Sequence, residues 1–179
     1  MNMKTLTQIS NLMNLSGKTA IVTGGALGIG FGIVRRLAEA GATVVIADKQ
    51  PEAASAAAKK MREQGFPVVS IVADVADEAA VKTLVAETAQ RQGSIDILVN
   101  TAGIYPLYRL ANMTLASFQE VINTNLIGVF LCIRYVSEYM IKQGKGGKII
   151  NITSTAAIHP VGSGFCHYVA SKHGVWGLT

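Results

Sequence analysis

The stretch "YVASK", residues 168–172, sets a phenol and an ammonium four positions apart. On an α-helix that spacing puts both side chains on one face, so Tyr168 and Lys172 point the same way. A free tyrosine, with a pKa of about 10, is a poor base at neutral pH, but a neighbouring ammonium favours its phenolate form. The pair suits proton transfer to and from an oxygen, with Tyr168 as the acid–base group and Lys172 as its electrostatic support.

A second stretch, "TGGALGIG" at 23–30, spaces Gly24, Gly28 and Gly30 as G-x-x-x-G-x-G. This is neither the common dinucleotide fingerprint nor a Walker loop, which needs a following Gly-Lys-Ser/Thr. Between a strand and a helix such a turn can cradle a phosphate on backbone N–H groups. The other reading is a turn needed only for close strand–helix packing. Asp48 ends the next strand, about 20 residues farther on, where a carboxylate can accept hydrogen bonds from both hydroxyls of an adenosine ribose and repel a 2′-phosphate. NAD is expected over NADP on this ground. The competing reading has Asp48 capping the turn before Pro51, and Lys49 beside it leaves NADP open.

These groups need a frame. Apolar β-branched runs at 18–23, 43–48, 67–74, 95–100 and 148–153 alternate with helical patterns. The first helix carries Ile29, Ile33 and Leu37 on one side, and the second starts at Pro51 and stops at Gly65. Asp77 is placed to cap the third, which turns Val81, Leu84, Val85 and Thr88 inward. One long helix is expected from Thr114 to Gln143, and a last helix from Phe165. Strands alternating with helices predict an α/β fold, a doubly wound parallel sheet with helices on both faces.

Composition narrows the function. Half of the 179 residues are hydrophobic and 15% are charged, which suits a sheet covered on both sides. The net charge is +5, but Arg35, Arg36, Lys59, Lys60, Arg62, Lys82 and Arg91 are scattered rather than clustered with aromatics, so no nucleic acid partner is expected. Cys132 and Cys166 lie far apart, without the spacing of a zinc site or disulfide framework. His159, His167 and His173 lack acidic or cysteine partners at metal-ligand spacing, so no metal is expected. Residues 1–14 read as a polar leader before a single domain over 15–179, and the longest apolar run, "LIGVFLCI", falls short of the roughly 20 residues that span a bilayer. A soluble cytoplasmic protein without membrane partners is the expectation.

Taken with "DV" at 74–75, "NTAG" at 100–103, Asn125 in "NTNLIGVF" and Ser154 in "NITS", these motifs come in the order of a known family. From Leu15 to Thr179 the chain resembles the short-chain dehydrogenase/reductase family, in its compact single-domain branch. The family usually carries "NNAG" where this chain has Thr101. The resemblance implies cofactor contacts from Gly24, Leu27, Gly28, Ile29, Gly30, Asp48, Asp74, Val75, Asn100, Ala102 and Gly103. Asp74 can otherwise be read as a helix-entry carboxylate. It further implies that Lys172 also holds the nicotinamide ribose, beside Tyr168.

The implied catalytic set is Asn125, Ser154, Tyr168 and Lys172. Ser154, at a strand end, can donate to a substrate oxygen where negative charge develops. Asn125, a weak helix former inside a helix, can hold a water in a proton relay. The implied activity is hydride transfer between NAD(H) and a small alcohol or ketone. An epimerase or dehydratase reading fits the glycine spacing poorly. "GIYPLYRL" (103–110) and "AAIHPVGSGF" (156–165) are expected to flank the cleft as moderately apolar substrate loops. Family members continue beyond the tyrosine helix into the last strands and a substrate-covering loop, so those elements are expected to be missing here. That raises the alternative of a nucleotide-binding module without turnover. Homo-oligomers that pair the long helix and the tyrosine helix are common in the family, and one is expected if the chain is complete.

Overall fold

The computed structural model describes residues 13–159 and 162–179. Most of the expected leader, and Pro160 and Val161 of the second substrate loop, lie outside these residues. The elements are β1 (Thr19–Thr23), α1 (Gly28–Glu39), β2 (Thr43–Asp48), α2 (Pro51–Glu63), β3 (Val68–Val72), α3 (Glu78–Gln92), β4 (Ile97–Asn100), α4 (Leu115–Ile122), α5 (Gly128–Lys142), β5 (Lys148–Asn151) and α6 (Cys166–Leu178). Short 3₁₀ turns at Leu110–Asn112 and Thr155–Ala157 sit in the loops after β4 and β5.

All strand pairs are parallel, in the order β3-β2-β1-β4-β5. The alternation of side chains along β1 and β2 sorts the core into two layers. Ala20, Val22, Val44 and Ile46 pack under Val34 and Ala38 of α1 and Ala54, Ala58 and Met61 of α2. Ile21, Val45 and Leu98 face the other way, toward Leu84 and Val85 of α3 and Leu131, Cys132 and Val136 of α5. Because β1 is followed in space by β2 on one side and β4 on the other, the connections diverge there. A crevice opens at the carboxyl ends of β1 and β4.

Local signals act as their chemistry dictates. Asp77 accepts hydrogen bonds from the Ala79 and Ala80 amides, and Gly93, at φ 77°, ends α3. Pro51 occupies the first turn of α2. Four strands are shorter than the apolar runs suggest, and only β2 fills its run. Ala73 and Ile152 still donate to the neighbouring strand ends, at the Asp48 carbonyl (3.0 Å) and the Asn100 carbonyl (2.9 Å), and Asp74, Val75 and Thr153 beyond them line the crevice.

The helix expected over 114–143 also differs. It runs from Leu115 to Lys142, but a π-helical turn at Asn123–Ile127 separates α4 from α5. Asn and Thr are weak helix formers, and the wider turn carries Asn125 inward, with its side chain fully buried. By length and composition this 28-residue helix could cross a membrane, yet here Val121, Val129, Leu131, Cys132, Val136 and Met140 are buried against the rest of the fold. At the far side of the sheet, β5 pairs with β4 alone among the described strands, and Ile150 is 45% exposed.

Candidate active site

The crevice is a cleft of about 470 Å³ bounded by the ends of β1 to β4 and by α6. Its first wall is the glycine turn. Gly24, at φ 62°, donates its amide to the Ala47 carbonyl at 2.7 Å. A Cβ on Gly24 would meet Ala102 Cα at 2.8 Å, and one on Gly30 would overlap the Gly24 carbonyl. The turn is therefore pressed between the loop after β4 and the first turn of α1. Gly28, at φ 55°, faces open space. Leu27 begins α1 without a side-chain cap, and no acidic residue occupies the first turn. The amides of this helix end stay unspent and carry partial positive charge toward the cleft.

Asp48, 8% exposed, stands at the rim of the same cleft. Its Oδ2 accepts from the Ala26 amide at 3.2 Å and its Oδ1 from the Gln50 amide at 3.1 Å. The carboxylate thus braces the turn before Pro51 and the glycine loop together, and still faces the cleft. Asp74 accepts from the Ala76 amide at 2.9 Å, while Asp77 caps α3, so Asp74 is not the helix-entry carboxylate. Val75 lies against Gly128, where a Cβ would come within 2.7 Å of Val75 Cγ2.

Thr23 binds the two strand ends at the switch point. Its Oγ1 accepts from the Thr101 amide at 3.1 Å and the Ala102 amide at 3.2 Å. Asn100 lies beneath this turn rather than in the cleft wall. It is 2% exposed, and its Nδ2 donates to Asn151 Oδ1 at 2.8 Å, pinning β4 to β5.

The second half of the cleft belongs to α6. Tyr168 and Lys172 both line it, with Lys172 Nζ 5.9 Å from the centre of the Tyr168 ring. Lys172 is 5% exposed and donates to the Ile152 carbonyl at 2.7 Å. Burial holds its pKa below the ordinary lysine value, because the charged form loses hydration. Thr153 Oγ1 donates to the Lys172 carbonyl at 3.0 Å and fixes α6 to the end of β5. The Tyr105 ring meets the Tyr168 ring edge-on at 6.1 Å.

Asn125 sits behind this wall. Its Oδ1 accepts from the Ile104 amide at 2.8 Å, and its Nδ2 donates to the Ile104 carbonyl at 2.9 Å and to Ser171 Oγ at 3.1 Å. Both of its donors are committed, so one lone pair of Oδ1 is what the side chain can still offer a water. A Cβ on Gly103 would come within 3.3 Å of Asn125 Oδ1 and 3.8 Å of Lys172 Nζ. Ser154 starts the 3₁₀ turn, its Oγ accepting from the Ala156 amide at 3.1 Å. Its hydroxyl proton is left free to donate. Ser154 stands just outside the cleft wall, directly after Ile152 and Thr153, which are in it.

The cleft thus gathers Gly24, Leu27, Gly28, Ile29, Gly30, Asp48, Asp74, Val75, Ala102, Gly103, Tyr168 and Lys172, and leaves Asn100, Asn125 and Ser154 behind or beside it. Sequence reasoning passed over Thr23, Thr153 and Ser171. A hydroxyl residue between a strand and a glycine turn was the available signal for Thr23. Ser171, inside "YVASK", carries no local signal of its own. His167 is buried, its Nδ1 accepting from the Tyr168 amide, and His173 Nδ1 lies 2.8 Å from the Ala157 carbonyl. Among the described residues no three His, Cys, Asp or Glu side chains cluster as a metal site would require. Unspent helix-end amides, a glycine facing open space and a carboxylate at the rim form a donor and acceptor set that fits a dinucleotide.

Comparison with known proteins agrees with this architecture. The model of the short chain dehydrogenase family matches residues 18–179. An uncharacterized oxidoreductase of Thermotoga maritima is 42% identical over 165 residues, which cover 92% of this chain and 64% of that protein. The chain thus spans about 64% of the length of that relative. Among solved structures, a short-chain type dehydrogenase/reductase from Mycobacterium marinum superposes with a TM-score of 0.93 at 33% identity, covering 97% of this chain and 70% of that one. A gluconate 5-dehydrogenase from Burkholderia cenocepacia, solved in complex with NADP and tartrate, gives a TM-score of 0.89 at 38% identity, covering 96% and 67%. With its strand order, its glycine turn and its tyrosine helix in these places, the chain belongs to the short chain dehydrogenase family.

Proposed function

We propose that the cleft carries out hydride transfer between NAD(H) and a small alcohol or ketone. The observation that carries this reading is that Tyr168 and Lys172 share one cleft with the glycine turn and Asp48. The α1 amides and Gly28 would hold the diphosphate, Asp48 the adenosine ribose, Asp74 and Val75 the adenine, and Lys172 the nicotinamide ribose. The bound dinucleotide supplies the carbon that gives or takes the hydride.

The protein's own groups handle the proton and the oxygen. The Tyr168 hydroxyl delivers a proton to the carbonyl oxygen in reduction, or removes it from the alcohol in oxidation. The Lys172 ammonium beside the ring stabilises the negative charge that the phenol oxygen then bears. The free Ser154 hydroxyl donates to the substrate oxygen as charge gathers there. Asn125 keeps the loop after β4 in place behind the reacting groups. Asp48 supports NAD over NADP by repelling a 2′-phosphate, although the Burkholderia neighbour was solved with NADP.

The test is Tyr168→Phe. Turnover on an alcohol or ketone should fall by at least about 10²-fold, the scale of a lost general acid–base group, while NADH binding, read by fluorescence, persists. Unchanged turnover would sink the mechanism. A second reading, nucleotide binding without turnover, is favoured by the position of Ser154 outside the cleft wall. NADH binding with no activity on any alcohol or ketone would support it.

A further inference from the structure

Between Tyr168 and Lys172, on the face of α6 turned toward the π-helical turn, lies Ser171, fully buried. We propose that Ser171 is a positioning residue, whose hydroxyl locks the Tyr168 turn of α6 to the Asn125 carboxamide and through it to the loop that carries Ile104. The role in turnover rests on the hydride-transfer reading above; the lock itself does not.

Ser171 Oγ donates to the Tyr168 carbonyl at 2.7 Å and accepts from Asn125 Nδ2 at 3.1 Å. A serine that bonds back to its own helix gains little and slightly disfavours that helix, so the intrahelical bond alone gives no reason for a serine here. The lone pair it presents to Asn125 does. The carboxamide is fully buried and has three hydrogen bonds to the protein, two with Ile104 and one with Ser171. If Ser171 lost its oxygen, one Nδ2 hydrogen would be stranded in the interior, where an unmet donor is costly and the rest of a small network is strained with it. The carboxamide would turn to recover a partner, and the Ile104 amide would lose its acceptor. The surrounding seam is tight, since a Cβ on Gly174 would meet Leu126 Cδ2 at 2.8 Å. One hydroxyl therefore couples the two walls of the cleft, because Ile104 precedes Tyr105, whose ring edge touches Tyr168.

The experiment compares Ser171→Ala, Ser171→Thr and Ser171→Val. The Thr and Val variants share a shape and differ only in the hydroxyl. Three quantities are read: hydrogen exchange of the Ile104 amide by NMR, NADH affinity by fluorescence, and kcat on a substrate the unmodified protein turns over. In the Ala and Val variants Ile104 exchange should accelerate about tenfold as its closed state loses one hydrogen bond. Their kcat should fall about tenfold from misplacement of Tyr168, with NADH affinity within about twofold of the original. The Thr variant should stay near the original in all three. Unchanged Ile104 exchange, a parallel loss of kcat and NADH affinity, or Thr as damaging as Val would each overturn the assignment. If the unmodified protein turns over no alcohol or ketone, the hydride-transfer reading fails, and Ile104 exchange alone decides the lock.

Discussion

Gly24 is where the glycine turn meets the loop after β4, and Gly24→Ala tests that contact. The substitution carries two penalties. The residue sits at φ 62°, in the left-handed region, which costs an L-residue about 1–2 kcal/mol. The new Cβ would also lie 2.8 Å from Ala102 Cα and 3.0 Å from Ala102 N, inside the 3.4 Å of an ordinary contact, and both are backbone atoms that cannot swing away. Relief requires the loop after β4 to retreat by about half an ångström, an overpacking that costs about 1–3 kcal/mol. Taken together the variant should lose about 3 kcal/mol, or roughly 6–12 °C of Tm for a domain of this size. Gly65→Ala is the control: Gly65 has φ 84° and nothing within 4 Å, so only the backbone penalty applies. It should lose about 1–2 kcal/mol and bind NADH normally. Thermal melts with NADH fluorescence titrations read both variants, and the Gly24 variant alone should bind NADH at least about tenfold more weakly. If the two melt alike and bind NADH alike, the contact between the glycine turn and Ala102 does not shape the cleft.

Three further expectations follow from the same geometry. Asp48→Ser keeps an acceptor near the Ala26 amide but removes the charge, and should shift the NADH-to-NADPH affinity ratio toward NADPH by about 10–100-fold, the worth of hydrogen bonds to a carboxylate; an unmoved ratio would put the ribose elsewhere. Lys172→Met should abolish turnover and raise Tm at neutral pH. Because the folded chain holds the Lys172 proton less tightly than the unfolded one, stability in the unmodified protein rises with pH as the solution approaches the ordinary lysine value of 10.5, and the variant should lose that rise; melts from pH 7 to 10.5 check it. Thr23→Val removes the acceptor of the part-buried Thr101 and Ala102 amides and should cost about 1–3 kcal/mol, visible as a lower denaturant midpoint at constant m.

Much of this protein was legible as residue pattern. Apolar runs alternating with helical patterns point to five parallel strands, and Asp77 to the start of α3, because periodicity and caps depend on neighbours a few positions away. The glycine turn, Asp48 and the Tyr168–Lys172 face stand out as local motifs, since each sits where a strand stops or a helix turns, whereas Asp74 is implied by the family resemblance; all of them line one cleft. Local pattern misjudged features set by distant partners. The Asn100 side chain, for which the family resemblance implies a cofactor contact, is buried and bonded to Asn151, 51 positions away, a partner no local motif announces. The helix over 114–143 reads as regular but opens into a π turn, where the Asn125 carboxamide reaches Ile104 and Ser171.

The sequence by itself determined the alternation of strands and helices, the helix face shared by the tyrosine and lysine, and the family to which those motifs belong. These follow from periodicity and backbone stereochemistry, which act over a single turn or strand. Tertiary structure decided which groups face the cleft and which support it: Thr23 and Thr153 as ties, Ser171 and Asn125 as a buried network, and Ser154 just outside the wall. A hydrogen bond between residues 46 positions apart leaves no periodic trace, so only the packing of α6 on the π turn could set Ser171 against Asn125.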